Sequence, residues 1–167
     1  MKQSTAREYG LIVTKTNDQR FDLDRSSSAA ARYLKDLDTM FGKITTVRKG
    51  SMTIAVKNPA ERKKFILAAY NGGQRRIADA QNLARNAGMN PQIWTDVINF
   101  LESAGATKDK TNEITQYVEK VQLYESEFSA KSSADKNVKQ KEPKNRKRRC
   151  TEGHWVTIDE RPVFICD

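Results

Sequence analysis

The sequence predicts a mainly α-helical protein of about five helices, and three observations carry that expectation. Between Ser28 and Phe128 apolar residues recur every three or four positions, the period of a helix with one buried face. Those runs are bounded by residues that start and stop helices: Asn58 before Pro59 at one end, Gly42 and Gly88 at others. Period-two alternation is confined to two short stretches, 43–57 and 152–165, too little for a sheet through the body.

Residues 1–23 mix turn and short helical signals without a clear start. Asp24 or Ser26 then offers an N-cap for SSSAAARYLKDLDTMF, which sets Ala30, Tyr33, Leu34, Leu37 and Phe41 on one face until Gly42 ends it. KITTVRKGSMTIAVKN alternates β-branched and polar residues around Lys49-Gly50 and predicts a small inserted hairpin. Asn58 caps PAERKKFILAAY, expected to be the most buried helix through Phe65, Ile66, Leu67 and Ala69. QRRIADAQNLARNAG follows, with Ile77, Ala80, Leu83, Ala84 and Ala87 on one face and Gly88 as its C-cap. Asn90-Pro91 opens a fourth helix, PQIWTDVINFLESAG, with Ile93, Trp94, Val97, Ile98 and Leu101 inward. Thr111 or Asn112 starts a fifth, NEITQYVEKVQLYESEF, with Ile114, Tyr117, Val118, Val121, Tyr124 and Phe128 in the repeat.

After Ala130 the composition changes to Ser, Lys, Arg and Asn. The organisation expected is therefore a helical domain over 1–130, a disordered basic linker over 131–149 and a short β-hairpin tail over 150–167. The whole chain has 167 residues and is 37% hydrophobic and 31% charged, with a mean hydropathy of −0.77. Residues 131–149 hold nine Lys or Arg against Asp135 and Glu142, which is +7 of the chain's formal +9. The high pI of 9.6 thus belongs to the linker, and the body is nearly neutral.

Several functions are disfavoured by what the chain lacks. No apolar run approaches the length that spans a bilayer. MKQSTAREYGLIV has no long apolar core or small-residue cleavage site, so no signal peptide is read and the location stays open. Cys150 and Cys166 have neither CxxC nor His partner spacing, so free thiols are preferred to a pair across a small hairpin, and no metal or cofactor is expected. The segment KQKEPKNRKRR is able to attract phosphate polymers, but no aromatic is interleaved for base stacking, so the preferred reading is a solvated linker rather than a nucleic-acid site.

The segment that asks for an explanation is Tyr70-Asn71-Gly72-Gly73, where an apolar helix ends in an aromatic hydroxyl, an amide and two glycines. By spacing alone the glycines are a C-cap and Tyr70 is an aromatic at the core's edge. The wording around it adds a second reading. Ser4–Leu11 (STAREYGL), Asp18 and Arg20, Ser28–Gly42, the AAYN-G box at Ala68–Gly72, LARNAG, Trp94–Val97 and ITQYVEKVQLY occur in the order that resembles the lytic transglycosylases. These are lysozyme-like enzymes that cleave bacterial peptidoglycan, and the match runs from residue 3 to about 128.

The resemblance implies a lysozyme-like helical lobe that takes peptidoglycan glycan strands. It implies that Tyr70 lines the saccharide cleft, that Tyr117 lies across from it, and that Asn71 holds the turn or touches sugar. An aromatic ring with a polar tip suits a sugar's CH face and hydroxyls, and adjacent glycines let a polymer approach closely. Tyr117 also reads as a plain core residue of its helix, and Tyr33, Trp94 and Tyr124 are assigned to packing.

Family members protonate the leaving oxygen with one glutamate, in an ES-F helix followed by Gly-Leu-Met-Gln, while the muramoyl 6-hydroxyl closes onto C1. This sequence begins at the STA that follows those segments, so the glutamate is expected to be absent and no catalytic residue is assigned. Substitutes are poor: Glu8 lies at a surface position, Glu61 in a helix first turn that lowers its pKa, Glu113 and Glu119 on an exposed face, and His154 in the tail. Such a domain is completed by a partner polypeptide, or is a remnant, or has repacked with the 43–57 hairpin over part of the gap. The alternatives are a non-catalytic peptidoglycan-binding or structural virion module and a nucleic-acid-associated protein acting through its tail. The virion reading follows from GHWVTIDERPVFI, which resembles a short hairpin of phage virion-associated proteins.

Overall fold

A computed structural model describes residues 1–141 together with 153–158 and 161–166, with side chains through residue 131. The described residues fall into two units, 1–126 and the remainder. The first is a mainly helical, lysozyme-like lobe: α1 (Gln3–Glu8), α2 (Leu23–Gly42), a small hairpin of β1 (Thr46–Arg48) and β2 (Ser51–Met52), α3 (Pro59–Gly72), α4 (Gln74–Asn86), α5 (Trp94–Val97) and the part of α6 (Lys108–Lys141) up to Ser126. In the second, β3 (Gly153–Ile158) and β4 (Arg161–Cys166) pair antiparallel with Trp155 opposite Phe164, as the alternation at 152–165 predicts. Cys150 lies outside the described residues and Cys166 is described by its backbone alone, so the free-thiol reading falls outside the side chains described.

Helix α3 is central. Phe65, Leu67, Ala68, Ala69 and Gly72 are all buried, while Ile66 is half-buried. Phe65 meets Phe41 of α2 at 6.1 Å between centroids and the edge of Trp94 at 5.6 Å, which joins three helices through aromatic contacts. Asn58 caps α3 as expected, its side chain accepting from the Ala60 and Glu61 N–H groups. Helix α2 begins earlier than expected, at Leu23, because Asp22 supplies the cap by accepting from the Arg25 N–H at 3.0 Å. Its buried face is Ala29, Tyr33, Leu37 and Phe41, with Ala30 and Leu34 half-buried at its edge.

The hairpin packs on α4. Fully buried Gln81 explains this: its amide donates to the Ile54 and Pro91 carbonyls at 3.0 Å, and its oxygen accepts from the Ile54 N–H at 3.1 Å. The Thr53 hydroxyl donates to the Met40 carbonyl at 2.9 Å and closes the hairpin's base on α2. Both side chains satisfy backbone groups that burial would otherwise leave unpaired.

Two predicted helices differ in extent. The fourth is α-helical only from Trp94 to Val97 and continues as a 3-10 turn over Ile98–Phe100. Ile93 N–H bonds back to Asn90, and Asp96 accepts from the Asn90 N–H at 3.0 Å, so the segment before Trp94 closes on itself as a turn. Helix α6 starts at Lys108 and runs to Lys141, into the stretch expected to be a linker. No glycine or proline stands between Gly105 and Pro143 to interrupt it. Residues 142–149 of that stretch lie outside the described residues. Tyr124 and Phe128, expected to pack, are exposed. Helices α3 and α6 are antiparallel, with Gly72 against Ile114 and Lys63 paired to Glu125.

Candidate functional site

The junction of α3, α4 and α6 forms a cleft of about 700 Å³, and the segment 1–20 supplies its other wall. Tyr70, Asn71 and Tyr117 all line it. Tyr70 is delivered by the last turn of α3, where two consecutive glycines do different work. Gly72 lies under Ile114, whose Cδ1 would stand 2.5 Å from any added Cβ, so only a glycine lets α6 approach this closely. Gly73 has φ +93° and lets the chain turn from α3 into α4 without an intervening loop.

The tyrosines form a connected row. The Tyr70 and Tyr117 rings lie 14° from parallel with centroids 6.2 Å apart. Tyr33 follows at 5.5 Å from Tyr70, and Tyr9 at 5.2 Å from Tyr33. Tyr33 packs in the core, as assigned, yet its hydroxyl reaches the cleft and donates to Gln74 Oε1 at 2.9 Å. Burial, then the charge of Glu8 and the neighbouring Tyr70, push the Tyr33 phenol up to about 12. Burial also raises the pKa of Tyr70 and Tyr117, so all three remain neutral hydroxyls at physiological pH. Among the described residues neither the Tyr70 nor the Tyr117 hydroxyl has a partner, which leaves both able to bond to a ligand.

Asn71 is tied down more fully than its sequence context suggests. Its amide nitrogen donates to Glu113 Oε1 at 3.1 Å, and its oxygen accepts from Lys110 Nζ at 3.0 Å. Lys110 also donates to Glu113 at 2.9 Å, so the three side chains close a triangle between α3 and α6. The Lys110 bond and then the Asn71 bond hold the Glu113 carboxyl below its usual range, and the one carboxyl lining the cleft among the described residues is therefore ionised. Lys110 and Gln74 were not named in the sequence reading, Glu113 was set aside as lying on an exposed face, and Arg20 entered only through the resemblance. A signal existed for two of them: positions 110, 113 and 117 are spaced for one face of a helix, and Tyr117 was already selected.

The other acids do not converge on the cleft. Glu61 accepts from the Trp94 N–H at 2.8 Å and from Lys64 at 2.6 Å. Burial by itself raises its pKa, but those two hydrogen bonds and the charge of Lys64 together outweigh it and the net shift is downward. Asp18 is held below its ordinary value chiefly by its hydrogen bonds from Arg20. The arrangement can therefore stack sugar faces and exchange hydrogen bonds, while its lining carboxylate favours the charged form over a proton donor. Among the described residues no His, Cys, Asp and Glu cluster is arranged for a metal, and no helix is long and apolar enough to cross a membrane.

Comparison with known proteins gives a consistent family. Residues 1–93 match the family described as Transglycosylase SLT domain. Membrane-bound lytic murein transglycosylase F of Desulfosudis oleivorans is 30% identical over 129 residues, covering 72% of this chain and 24% of that protein. The protein of that name from Salmonella typhi is 36% identical over 97 residues, covering 58% of this chain and 17% of its own length. The one from Pseudomonas fluorescens is 32% identical over 101 residues, covering 60% and 17%. The chain thus spans about a quarter or less of the length of these relatives. No solved structure matches it.

Proposed function

The chain belongs to the transglycosylase SLT domain family of lytic transglycosylases, and from that premise we propose that it binds peptidoglycan glycan strands along the Tyr70–Tyr117 cleft. The observation that carries the reading is the row of neutral tyrosines opening onto a cleft large enough for sugar rings. Tyr70 and Tyr117 present ring faces to sugar CH groups and hydroxyls to sugar oxygens. Asn71 acts by fixing the end of α3 against α6 rather than by offering its amide, because both polar ends of that amide are already bonded.

The family reaction cleaves the MurNAc–GlcNAc bond without water. An acid protonates the leaving oxygen, the muramoyl 6-hydroxyl attacks C1, and its proton returns to the conjugate base, giving a 1,6-anhydro product. We place no described residue in the acid's role. Among the described residues Glu113 is the only carboxyl lining the cleft, and Lys110 and Asn71 stabilise its ionised form. Cleavage then requires a carboxylic acid supplied by another segment or by a partner polypeptide, and the chain by itself serves as the glycan-holding half. The resemblance of the C-terminal hairpin to hairpins of phage virion-associated proteins supports a setting in a phage or prophage protein that meets the cell wall.

The test is retention on purified murein sacculi together with mass spectrometry of the soluble products. The expected result is retention of the chain with no 1,6-anhydro-muropeptides released. Anhydro products from the chain alone would overturn the assignment of the acid, and Glu8 and Glu113 would be substituted next. Absence of retention would overturn the glycan-binding reading itself.

A further inference from the structure

The cleft does not end at Tyr70. A second cavity of about 250 Å³, lined by Ser26, Ser27 and Ala30 of α2, adjoins it, and Met1, Arg20 and Tyr70 line both. Arg20 therefore stands in the wall where the two meet, beside the aromatic residue that the sugar reading uses. Its geometry is fixed. Arg20 Nε donates to the two Asp18 oxygens at 2.9 and 3.2 Å, and Nη2 donates to Oδ2 at 2.6 Å. A planar guanidinium gripped on that edge has its remaining nitrogen aimed by the same two atoms. That nitrogen, Nη1, has only a 3.5 Å approach to the Met1 carbonyl, too long for a strong hydrogen bond.

We propose that Arg20 is a specificity-determining binding residue that receives, through Nη1, a carboxylate carried on the glycan held by Tyr70. This rests on the glycan-binding reading above and adds to it the chemical class of the substituent. The charges of the site agree. Among the described residues Lys2, Arg20 and Lys110 line the larger cavity against the single acid Glu113, which Lys110 already engages. Asp18 offsets the Arg20 charge, so the attraction is short-ranged and directional: it selects where the carboxylate sits rather than drawing in polyanions at large. A neutral amino-sugar polymer satisfies Tyr70 equally well and leaves Nη1 without its charged partner. The carboxylate has two sources in peptidoglycan, the lactyl group of a peptide-free muramoyl sugar or the peptide stem of a substituted one.

The experiment measures binding of the full chain to three probes: chitotetraose, a peptide-free muramoyl tetrasaccharide, and the same glycan bearing tetrapeptide stems. Arg20→Gln is expected to weaken at least one of the acidic glycans about tenfold while chitotetraose changes by less than about twofold. The glycan that loses affinity identifies the carboxylate. Arg20→Lys, which keeps the ion pair with Asp18 but not the fork, is expected to recover part of that loss, and chitotetraose binding reports that each variant is folded. If Arg20→Gln prevents folding, Arg20→Lys and added salt applied to the unmodified chain carry the same contrast between acidic and neutral glycans. Equal losses on all three probes, or none, would overturn the proposal while leaving glycan binding intact. No binding of any probe by the unmodified chain would overturn the glycan reading and this inference with it.

Discussion

Tyr70 carries the most direct test at the scale of single residues. Its ring touches Tyr33 and Tyr117, and its hydroxyl has no described partner, so truncation removes ligand contact and leaves no buried donor behind. Tyr70→Ala is expected to reduce retention on sacculi about tenfold or more, whereas Tyr124→Ala, on an exposed turn of α6, is expected to leave it unchanged. Tyr33 is a poor control because it lines the same cleft. Equal effects of the Tyr70 and Tyr124 substitutions would remove the cleft from consideration. Glu61 gives a second residue-level prediction. Its carboxylate satisfies the Trp94 N–H, so Glu61→Ala is expected to cost about 1–3 kcal/mol by leaving that partly buried donor unpaired. The folded pKa of Glu61 lies below its ordinary value of 4.5, so the native state favours the ionised form. That contribution is fully present above 4.5 and is lost as the pH falls through the lower folded value. Thermal melts of the chain and of Glu61→Gln should therefore converge as the solution is acidified. A gap between them that does not narrow would show that Glu61 acts by packing.

Among the elements, the decisive pairing is α3 with α6. Gly72→Ala adds a methyl 2.5 Å from Ile114 Cδ1 and 3.0 Å from its Cγ1. Alanine gains about 0.5–1 kcal/mol in helix propensity, but overpacking a fully buried contact costs about 1–3 kcal/mol, so net destabilisation is expected. Because Ile114 is 0% exposed, it has no solvent-side space to move into. Ile114→Val removes the nearest atom, so Gly72→Ala should cost less in that background; chemical denaturation of both singles and the double variant measures the coupling. Strict additivity would show that Gly72 is only a helix terminator. The same displacement would open the Tyr70–Tyr117 pair and the Asn71–Lys110–Glu113 triangle, so Gly72→Ala is also expected to weaken glycan binding.

At the level of the molecule, every residue lining the cleft belongs to the unit formed by residues 1–126. A chain ending after Lys131 is therefore expected to retain the cleft, its thermal transition and its binding to sacculi at unchanged ionic strength. Loss of binding on that shortening would transfer the affinity to the basic C-terminal segment, which carries +7 over residues 131–149. Salt would then separate the two sources, since attraction by dispersed cations is screened while aromatic stacking is not.

The mainly helical class, the cap at Asn58, the end of α2 at Gly42, the hairpin about Lys49-Gly50 and the buried face of α3 were all legible because each rests on neighbours within a few residues. Periodicity records which face is apolar, and a cap records where a backbone runs out of partners. The extent of α5 and α6 was less legible, since the first depended on a turn closed by Asp96 and the second runs on through a basic stretch that holds no glycine or proline to stop it. Sequence wording selected Tyr70, Asn71 and Tyr117, and the fold brings all three to one cleft. It gave no sign that Asn71 is held by Lys110 and Glu113 across 39 and 42 residues, or that Tyr33 bonds Gln74 across 41. Nor did it separate the two glycines, one required by its own φ and the other by Ile114 on a distant helix. The sequence by itself determined the helices, their inward faces and the family, because those follow from local conformational preference and residue order. Only the tertiary structure decided which polar groups are already satisfied and which still face the cleft, because hydrogen bonds between distant segments exist only once packing has brought them within 3 Å or so.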